Sequence, residues 1–246
     1  MISGHTRVFA LLGHPVGHSL SPELHNRWFA ARAVDAVYVA LDVPPGTDLR
    51  PLITSSGVAG FNVTAPHKGA ALAAADELTA AAREIGAVNT LFRRGDAWVG
   101  DNTDALGFRS ALGAPPRGPI VILGAGGAAR AVRHALQGMG STQVRMISRV
   151  EFPSLHLDDE AWVINCAAAT ATPDLRAWAK RRGIGPSRWF DLNYWDPAVP
   201  GSGDAGRRML VLQAAAAFHH FTGITLTPRE VEEALACTVP RHPSAC

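Results

Sequence analysis

A short apolar run that leads through a glycine-rich turn into a helix is the feature that most constrains the fold of this chain. Residues 120–123 have the pattern of a buried strand, residues 124–129 read G-A-G-G-A-A, and residues 130–139 continue as a helix. Strand, turn and helix in this order form the unit that binds a dinucleotide in a parallel sheet. The chain is therefore predicted to contain an α/β unit of this type.

The residues of this turn each have a role if a nucleotide binds there. Gly124 allows the tight turn, Gly126 lets a pyrophosphate approach the backbone, and Ala129 lets the helix pack closely on the strand. The first N–H groups of the helix and the positive end of its dipole then face the phosphates. In the alternative, the sheet binds no nucleotide and the glycines only make the turn. The predicted cofactor contacts at this turn are Gly124, Ala125, Gly126, Gly127 and Ala128.

The residues after the next predicted strand indicate which dinucleotide is bound. An acidic residue there would bind the two hydroxyls of the adenosine ribose and repel a 2′-phosphate. Here Ser148 and Arg149 occupy that position, and the first acidic residue is Glu151. This favours NADP over NAD, with Ser148 and Arg149 as further cofactor contacts. An arginine in solvent would fit the same pattern, and NAD stays an alternative cofactor.

Short apolar runs alternate with helical patterns along most of the chain, which is typical of an α/β fold. A cluster of prolines and glycines at residues 113–119 interrupts the alternation. Two α/β units are therefore predicted, with the junction in a helix after Asp104 and in this cluster. The predicted strands are 7–13, 36–43, 57–63, 87–92, 97–100, 120–123, 143–148, 161–166 and 188–193. The predicted helices are 22–33, 130–139, 174–182, 207–221 and 228–236, with further alanine-rich helices across 67–85.

Composition and charge exclude several classes of protein. With 23 Lys and Arg against 21 Asp and Glu, the formal net charge is +2, and the sequence has no basic block of the kind that binds nucleic acid. A hydrophobic fraction of 47% is sufficient for a core, which excludes wholesale disorder. No apolar run approaches the roughly 20 residues that span a bilayer. Residues 1–9 lack the pattern of a signal peptide, so no membrane partner is expected.

Cysteine and histidine usage predicts a reducing, cytoplasmic location and no metal site. The three cysteines are an odd number and lack the spacing of metal ligands. Histidines at positions 14, 18, 25, 219 and 220 raise the question of zinc. No Cys, Asp or Glu at a suitable spacing completes a ligand set, so we predict that none of them binds a metal.

Four polar segments of the first half carry groups that could bind a small polar molecule. In the first of them, Ser21 is expected to cap a helix with Pro22 at its first position, and hydroxyls beside helix N–H groups would also suit a carboxylate. Each segment alone fits ordinary turn chemistry equally well, and Lys68 alone fits a lysine in solvent. The four segments are residues 17–23, 62–68, 86–90 and 101–104.

Taken together in order and spacing, these segments resemble the shikimate dehydrogenase family. The matching patterns are S-x-S-P, N-V-T-x-P-x-K, G-A-V-N-T and D-N-T-D, followed by the G-A-G-G-A turn. The resemblance covers most of residues 7–149 and resumes at 191–194, 209–213 and 217–223. It implies an N-terminal substrate-binding α/β domain, a C-terminal Rossmann nucleotide-binding domain and a cleft between them. Because the last helices of such enzymes pack back onto the first domain, the expected domains are 1–104 with 222–246, and 105–221.

The resemblance also implies an activity and a role for particular residues. The activity is the reversible, NADPH-dependent reduction of 3-dehydroshikimate to shikimate in aromatic amino acid biosynthesis. Lys68 and Asp104 would form the catalytic pair. A protonated lysine near the ketone oxygen can stabilise developing negative charge and donate a proton, and an ionised Asp104 would keep that lysine charged. The implied substrate contacts are Ser19 and Ser21 to the carboxylate, Thr64, Asn89 and Gln213 to the ring hydroxyls, and Tyr194.

The chain departs from the family pattern only in its cofactor half. Family members usually have N-R-T where this chain has residues 148–150, and N-A-T where it has N-C-A at 165–167. Arg208 stands where the family has glycine, and only residues 195–205 connect the tyrosine to the Met-Leu motif. Two other interpretations therefore stay open: a dehydrogenase of the same family that acts on quinate or aminoshikimate, and a shikimate-binding homologue without catalysis. The sequence leaves monomer and homodimer equally open.

Overall fold

The protein, seen here in a computed structural model, consists of two compact units. The first comprises residues 1–103 and 213–234, and the second comprises residues 104–212 and 235–246. The sequence predicted domain borders after residue 104 and before residue 222. Which unit binds substrate and which binds cofactor is part of the proposed function below. The structure describes residues 2–148, 150–152, 155, 157–158, 160–167, 172–194 and 204–237, with the backbone alone for 172–174 and 186.

Ten described strands form two separate sheets. Most lie where short apolar runs predicted them, although β3 is shorter than the expected run of 57–63. The strands are β1 (Arg7–Gly13), β2 (Ala36–Asp42), β3 (Gly60–Val63), β4 (Glu77–Leu78), β5 (Thr90–Arg94), β6 (Ala97–Asp101), β7 (Ile120–Leu123), β8 (Val144–Ile147), β9 (Trp162–Asn165) and β10 (Trp189–Asp191).

The described helices follow the predicted pattern with two differences. A helix that the sequence did not predict begins after Asp48, whose side chain accepts a hydrogen bond from the N–H of Arg50. The alanine-rich helices predicted across 67–85 are separated by β4, a strand that the sequence did not predict. The helices are α1 (Ser21–Ala31), α2 (Leu49–Ser55), α3 (Lys68–Ala74), α4 (Ala80–Ile85), α5 (Asp104–Leu112), α6 (Gly127–Gly138), α7 (Thr172–Arg181), α8 (Asp204–Thr222) and α9 (Pro228–Cys237).

The first unit contains a mixed six-stranded sheet in the order β2-β1-β3-β5-β6-β4. Its strands β1, β2 and β3 are parallel, whereas β5 runs antiparallel to both β3 and β6. Thr90, the first residue of β5, therefore pairs with both Asn62 and Asp101. This register brings the start of β5 to the same edge as the carboxyl ends of β1, β3 and β6. We refer to it below as the polar edge, because the polar segments of the sequence lie there.

The second unit contains a four-stranded parallel sheet in the order β10-β9-β7-β8. All four residues of the central strand β7 are buried, as expected for a parallel sheet covered on both faces. Leu123 at its end pairs with Ile147 on one side and Asn165 on the other. The glycine turn and the ends of β8 and β9 therefore share one edge of this sheet. The predicted α/β class, with two units of this kind, is confirmed.

None of the helices in the described part of the chain is long and apolar enough to cross a membrane.

Candidate active site

A buried network of amide and hydroxyl side chains lies at the polar edge of the first unit. At its centre is Asn62, whose Oδ1 accepts a hydrogen bond from Tyr38 Oη at 2.8 Å. The Nδ2 of Asn62 donates to Thr90 Oγ1 at 3.0 Å and to the carbonyl oxygen of Asn89 at 3.3 Å. These contacts determine which way the amide of Asn62 faces and hold the start of β5 against β3.

Asn89 connects this network to the segment after β6 and to α8. Its Oδ1 accepts from the N–H of Thr103 at 2.8 Å and from Thr90 Oγ1 at 3.0 Å, and its Nδ2 donates to Thr103 Oγ1 at 2.9 Å. Gln213 Oε1 lies 3.3 Å from both Asn89 Nδ2 and Thr103 Oγ1. Asn89 and Gln213, two residues expected to contact ring hydroxyls, are therefore brought together. Gln213 is the amide that stood out among apolar residues of its helix, and here it has polar partners.

Lys68 is the first residue of α3 and is half-buried, so it is not a lysine wholly in solvent. Its carbonyl oxygen accepts a hydrogen bond from the N–H of Val88 at 3.0 Å, which ties the start of α3 to the segment that carries Asn89. The preceding residue, His67, is buried and its ring Nε2 contacts the carbonyl oxygen of Val43 at 2.7 Å. The start of α3 is thus tied both to the segment that carries Asn89 and to Val43, directly after β2.

Thr64 follows β3 and lies directly against Gly13 at the end of β1. The N–H of Thr64 donates to the carbonyl oxygen of Leu12 at 2.8 Å. A Cβ atom added to Gly13 would overlap Thr64 Cγ2 and would lie 2.7 Å from Val16 Cγ1. The absence of a side chain at position 13 therefore allows Thr64 to occupy its place at the polar edge.

Gly13→Ala is expected to destabilise the protein by about 1–3 kcal/mol, because the new methyl group must displace Thr64 or Val16. Thermal or urea unfolding of the purified variant measures this. Gly17→Ala, in the loop that follows β1, is the matched control, since a Cβ there would meet nothing within 4 Å. A change within about 0.5 kcal/mol is expected for the control. Equal losses in both variants would contradict the packing argument.

The serines of the loop after β1 adopt a different local structure from the expected one. Helix α1 begins at Ser21 itself, Leu20 occupies the cap position, and no side chain caps the helix. The prediction that Ser21 is the N-cap was wrong, because Ser19 Oγ, two residues earlier, accepts the N–H of Ser21 at 3.2 Å. Ser21 consequently lies buried in the first helical turn, and Pro22 follows it as the second helical residue.

The glycine turn of the second unit, which the sequence predicts to hold a pyrophosphate, leads directly into α6. Gly124 has a φ of +119°, and a Cβ there would lie 3.1 Å from the carbonyl oxygen of Cys166. Its N–H donates to the carbonyl oxygen of Ile147 at 2.8 Å. Gly126 precedes α6 without any side-chain cap, and a Cβ on it would meet nothing within 4 Å. The first N–H groups of α6 can thus be approached by an anion, and these residues fit a dinucleotide.

At the end of β8, Ser148 is engaged by an acidic residue of its own loop. Glu151 Oε2 accepts from the backbone N–H of Ser148 at 2.9 Å and from its Oγ at 2.7 Å. The bond from the hydroxyl and then the bond from the N–H lower the pKa of Glu151 below its usual range. Arg149, the other predicted cofactor contact in this loop, lies outside the described residues.

A buried carboxylate holds the segments after β9 and β10, a feature that sequence reasoning did not identify. Asp191 is fully buried and accepts from Arg176 Nε and Nη2 at 3.1 and 2.9 Å, and from Asn165 Nδ2 at 3.0 Å. The N–H of Asn193 donates to it at 2.9 Å, and Asn193 Nδ2 donates to the carbonyl oxygen of Ala167 at 3.0 Å. Asn165 and Asp191 were visible as polar residues ending apolar strands. Tyr194, an expected substrate contact, follows this network directly and is half-buried.

Two of the histidines considered as metal ligands each pair with one carboxylate instead. His14 Nδ1 contacts Asp42 Oδ1 at 2.6 Å, and His220 Nε2 contacts Asp101 Oδ2 at 2.8 Å. The second pair joins α8 to the end of β6. Because His220 comes seven residues after Gln213, the two side chains lie on the same side of α8. Within the described residues, no three His, Cys, Asp or Glu side chains are grouped as metal ligands would be.

An uncapped glycine turn in one unit and a buried amide and hydroxyl network in the other define a two-unit α/β protein of the dinucleotide-binding type. The model of the shikimate dehydrogenase substrate binding domain matches residues 11–91. Over 250 residues the chain is 36% identical to a shikimate dehydrogenase (NADP(+)) of Hyphomonas neptunium, covering 89% of this chain and 93% of that protein. The chain belongs to the shikimate dehydrogenase family, as the order of its motifs indicated.

Solved structures agree with this assignment. A crystal structure of a shikimate dehydrogenase in complex with NADP⁺ has a TM-score of 0.77 and 29% identity, and the match covers 98% of each chain. A shikimate dehydrogenase from Thermus thermophilus, in complex with NADP(H) and shikimate, has a TM-score of 0.72 and 30% identity. That match covers 95% of this chain and all of the other.

Proposed function

We propose that this protein is an NADP-dependent shikimate dehydrogenase that reversibly reduces 3-dehydroshikimate to shikimate in aromatic amino acid biosynthesis. The observation that carries the proposal is the network of Asn62, Asn89, Thr103 and Gln213 at the polar edge, beside Lys68. Several hydroxyl groups on one small ring require both donors and acceptors in fixed directions. A network of amides already bonded to one another supplies both, and its fixed geometry limits the cost of ordering on binding.

Substrate recognition is assigned to residues around this network. The ring hydroxyls are bound by Asn89, Gln213 and Thr64. They replace some of the hydrogen bonds that the amide and hydroxyl side chains of the network make to one another. Ser19 and Ser21 bind the substrate carboxylate with the first N–H groups of α1, where the helix dipole favours an anion. Tyr194 completes the substrate contacts.

Catalysis is assigned to Lys68 and Asp104. When bound, NADPH supplies the hydride for the ketone carbon. The ammonium group of Lys68 stabilises the charge that develops on the ketone oxygen and donates the proton that completes the hydroxyl. Asp104 is buried at the first residue of α5, and it is assigned as the carboxylate partner that orients the Lys68 ammonium group. In the reverse direction the same pair removes the hydroxyl proton.

Cofactor binding is assigned to the second unit. The backbone of residues 124–128 holds the pyrophosphate at the start of α6, with Gly124 and Gly126 giving the space. Contacts to the adenosine ribose and its 2′-phosphate are assigned to Ser148 and Arg149. The names of the relatives and the content of the solved complexes support NADP as the cofactor. We place the reaction in the cytoplasm and expect a monomer or a homodimer.

The proposal is tested by mixing purified protein with shikimate and NADP⁺ and following the absorbance of the reduced nicotinamide. Turnover with shikimate and NADP⁺ that exceeds turnover with quinate or with NAD⁺ is the expected result. Preferred turnover of quinate would assign the protein to another activity of the same family. If no combination gives turnover but calorimetry still shows shikimate binding, the protein is a family member that binds shikimate without catalysis.

A further inference from the structure

The residues that follow β8 are one of the places where the cofactor half of this chain departs from the family pattern. Ser148 has two donors there, a backbone N–H and a hydroxyl, and both point to one oxygen of Glu151, at 2.9 and 2.7 Å. The carboxylate of Glu151 is exposed, so this contact is not forced by burial. Two donors that converge on one anionic oxygen are the kind of arrangement that also binds a phosphate oxygen.

The sheet register determines what Ser148 faces when a dinucleotide binds. Ile147 pairs with Leu123, and the N–H of Gly124 donates to the carbonyl oxygen of Ile147. Ser148 therefore follows the strand end directly beside the turn that holds the pyrophosphate. In a unit of this type the ribose of the adenosine half lies over the end of this second strand, with its 2′ substituent toward the residues that follow it.

We propose that Glu151 is a specificity-determining residue that lowers the preference of this enzyme for NADP over NAD. Its carboxylate occupies the two Ser148 donors that would otherwise serve the 2′-phosphate, and it places a negative charge where that phosphate must lie. A 2′-hydroxyl has no such conflict, because it can donate a hydrogen bond to the carboxylate. This inference rests on the proposed function and adds a residue that controls cofactor choice.

The ionised state of Glu151 follows from its surroundings. Its pKa is lowered first by the hydroxyl of Ser148 and then by the N–H of Ser148, with a smaller contribution from the charge of Arg145. The carboxylate is consequently negative at the neutral pH of an enzyme assay. Binding of NADP must then either move Glu151 off Ser148 or accept a second anion beside it, whereas binding of NAD requires neither.

Glu151→Gln and Glu151→Ala are expected to strengthen the binding of a 2′-phosphate selectively. The probes are 2′,5′-ADP and 5′-AMP, titrated by calorimetry at one ionic strength. The dissociation constant of 2′,5′-ADP is expected to fall about fivefold, an effect typical of one exposed charge, while that of 5′-AMP stays the same or rises. Glu151→Gln retains an acceptor for Ser148 and so preserves the loop, whereas Glu151→Ala also releases both donors.

Glu160→Gln is the matched control. It removes the same charge from an exposed residue two positions before β9, and so from the opposite edge of the parallel sheet. Neither probe should bind differently to it. The double variant Ser148→Ala/Glu151→Ala should lose a large part of the gain of Glu151→Ala, because the released hydroxyl is then absent.

Three results would overturn the inference. An equal change for both probes would show a general effect of charge, and no change in either Glu151 variant would show that Glu151 does not face the 2′ position. A gain as large in Glu160→Gln would show that net charge alone is responsible. Each of these leaves the proposed function intact if the wild-type protein still oxidises shikimate. A wild-type protein that binds neither probe would contradict the nucleotide site itself, and the proposed function with it.

Discussion

Lys68→Ala is expected to lower kcat by about 10²–10⁴-fold in both directions, while the dissociation constant of shikimate changes only a few-fold. The variant lacks the group assigned to stabilise the ketone oxygen and to donate the proton, but the network that binds the ring hydroxyls is unchanged. Steady-state kinetics with NADP⁺ and shikimate give kcat, and calorimetry gives shikimate binding.

The sequence offers a matched control, because the chain contains only two lysines, Lys68 and Lys180. Lys180 lies exposed near the end of α7, and Lys180→Ala is expected to leave kcat unchanged. Lys68→Arg separates charge from proton transfer, since a guanidinium keeps the positive charge but is a very poor proton donor. Recovery of much of the rate in Lys68→Arg would assign charge stabilisation as the main role. Normal turnover in Lys68→Ala would contradict the proposed mechanism.

Elements with a strong local pattern were predictable from the sequence, and elements defined by tertiary contacts were not. The strand and helix around the glycine turn appear at 120–123 and 127–138, because an apolar run, glycines and an amphipathic helix agree there. Helix α2 was missed: the Pro-Pro-Gly at 44–46 was interpreted only as the end of a strand, and no helix was predicted after it. Pro51 is acceptable within α2, since it lies in the first turn, where a backbone N–H would have no helical partner.

The division of the alanine-rich run at 67–85 shows the same limit. Alanine favours helix throughout this run, so propensity predicts helices there but no strand between them. The chain instead leaves the helix after Ala74 to place Glu77 and Leu78 beside β6, and Thr79 caps the next helix by accepting the N–H of Ala82. A pairing with a distant strand decides this break. Thr79 was its only local signal.

The candidate site was predictable in its motifs but not in its connections. Asn89 and Gln213, separated by 124 positions, were both identified, and they lie within hydrogen-bond distance of each other. The side chains that hold them, Asn62, Thr90 and Thr103, belong to the same motifs but were not distinguished. Their roles depend on the antiparallel insertion of β5 between β3 and β6, which the spacing of apolar residues does not reveal.

Tyr38, the outermost member of the network, packs against a buried histidine, His25. The ring of His25 stacks on that of Tyr38 at 4.3 Å and an interplanar angle of 4°. The histidine is fully buried, and among the described residues neither ring nitrogen has a hydrogen-bond partner. Its other ring contacts are Trp28, Phe29, Phe218 and Phe221, none of which is charged.

This surrounding makes the stability of the protein depend on pH. Burial lowers the pKa of His25 from 6.5 to about 3. Between these two values the unfolded chain binds a proton that the folded protein does not, so the free energy of unfolding falls as the pH falls below 6.5. Each pH unit in this range costs about 1.4 kcal/mol, and a fall from pH 7 to pH 5 should therefore cost about 2 kcal/mol through His25 alone.

His25→Phe should remove this part of the acid sensitivity. Phenylalanine keeps a planar ring for the stack on Tyr38, carries no titratable group and gives up no hydrogen bond to the described residues. Urea unfolding at pH 7 and pH 5, followed by tryptophan fluorescence, is expected to show a loss about 2 kcal/mol smaller than in the wild-type protein. His5→Gln, which removes an exposed histidine near the N-terminus, should leave the wild-type loss unchanged. Parallel losses in His25→Phe and wild type would mean that His25 titrates in the folded protein. The site would then tolerate a charge beneath Tyr38, and the orientation of Asn62 would have to be secured by its bonds to β5 alone.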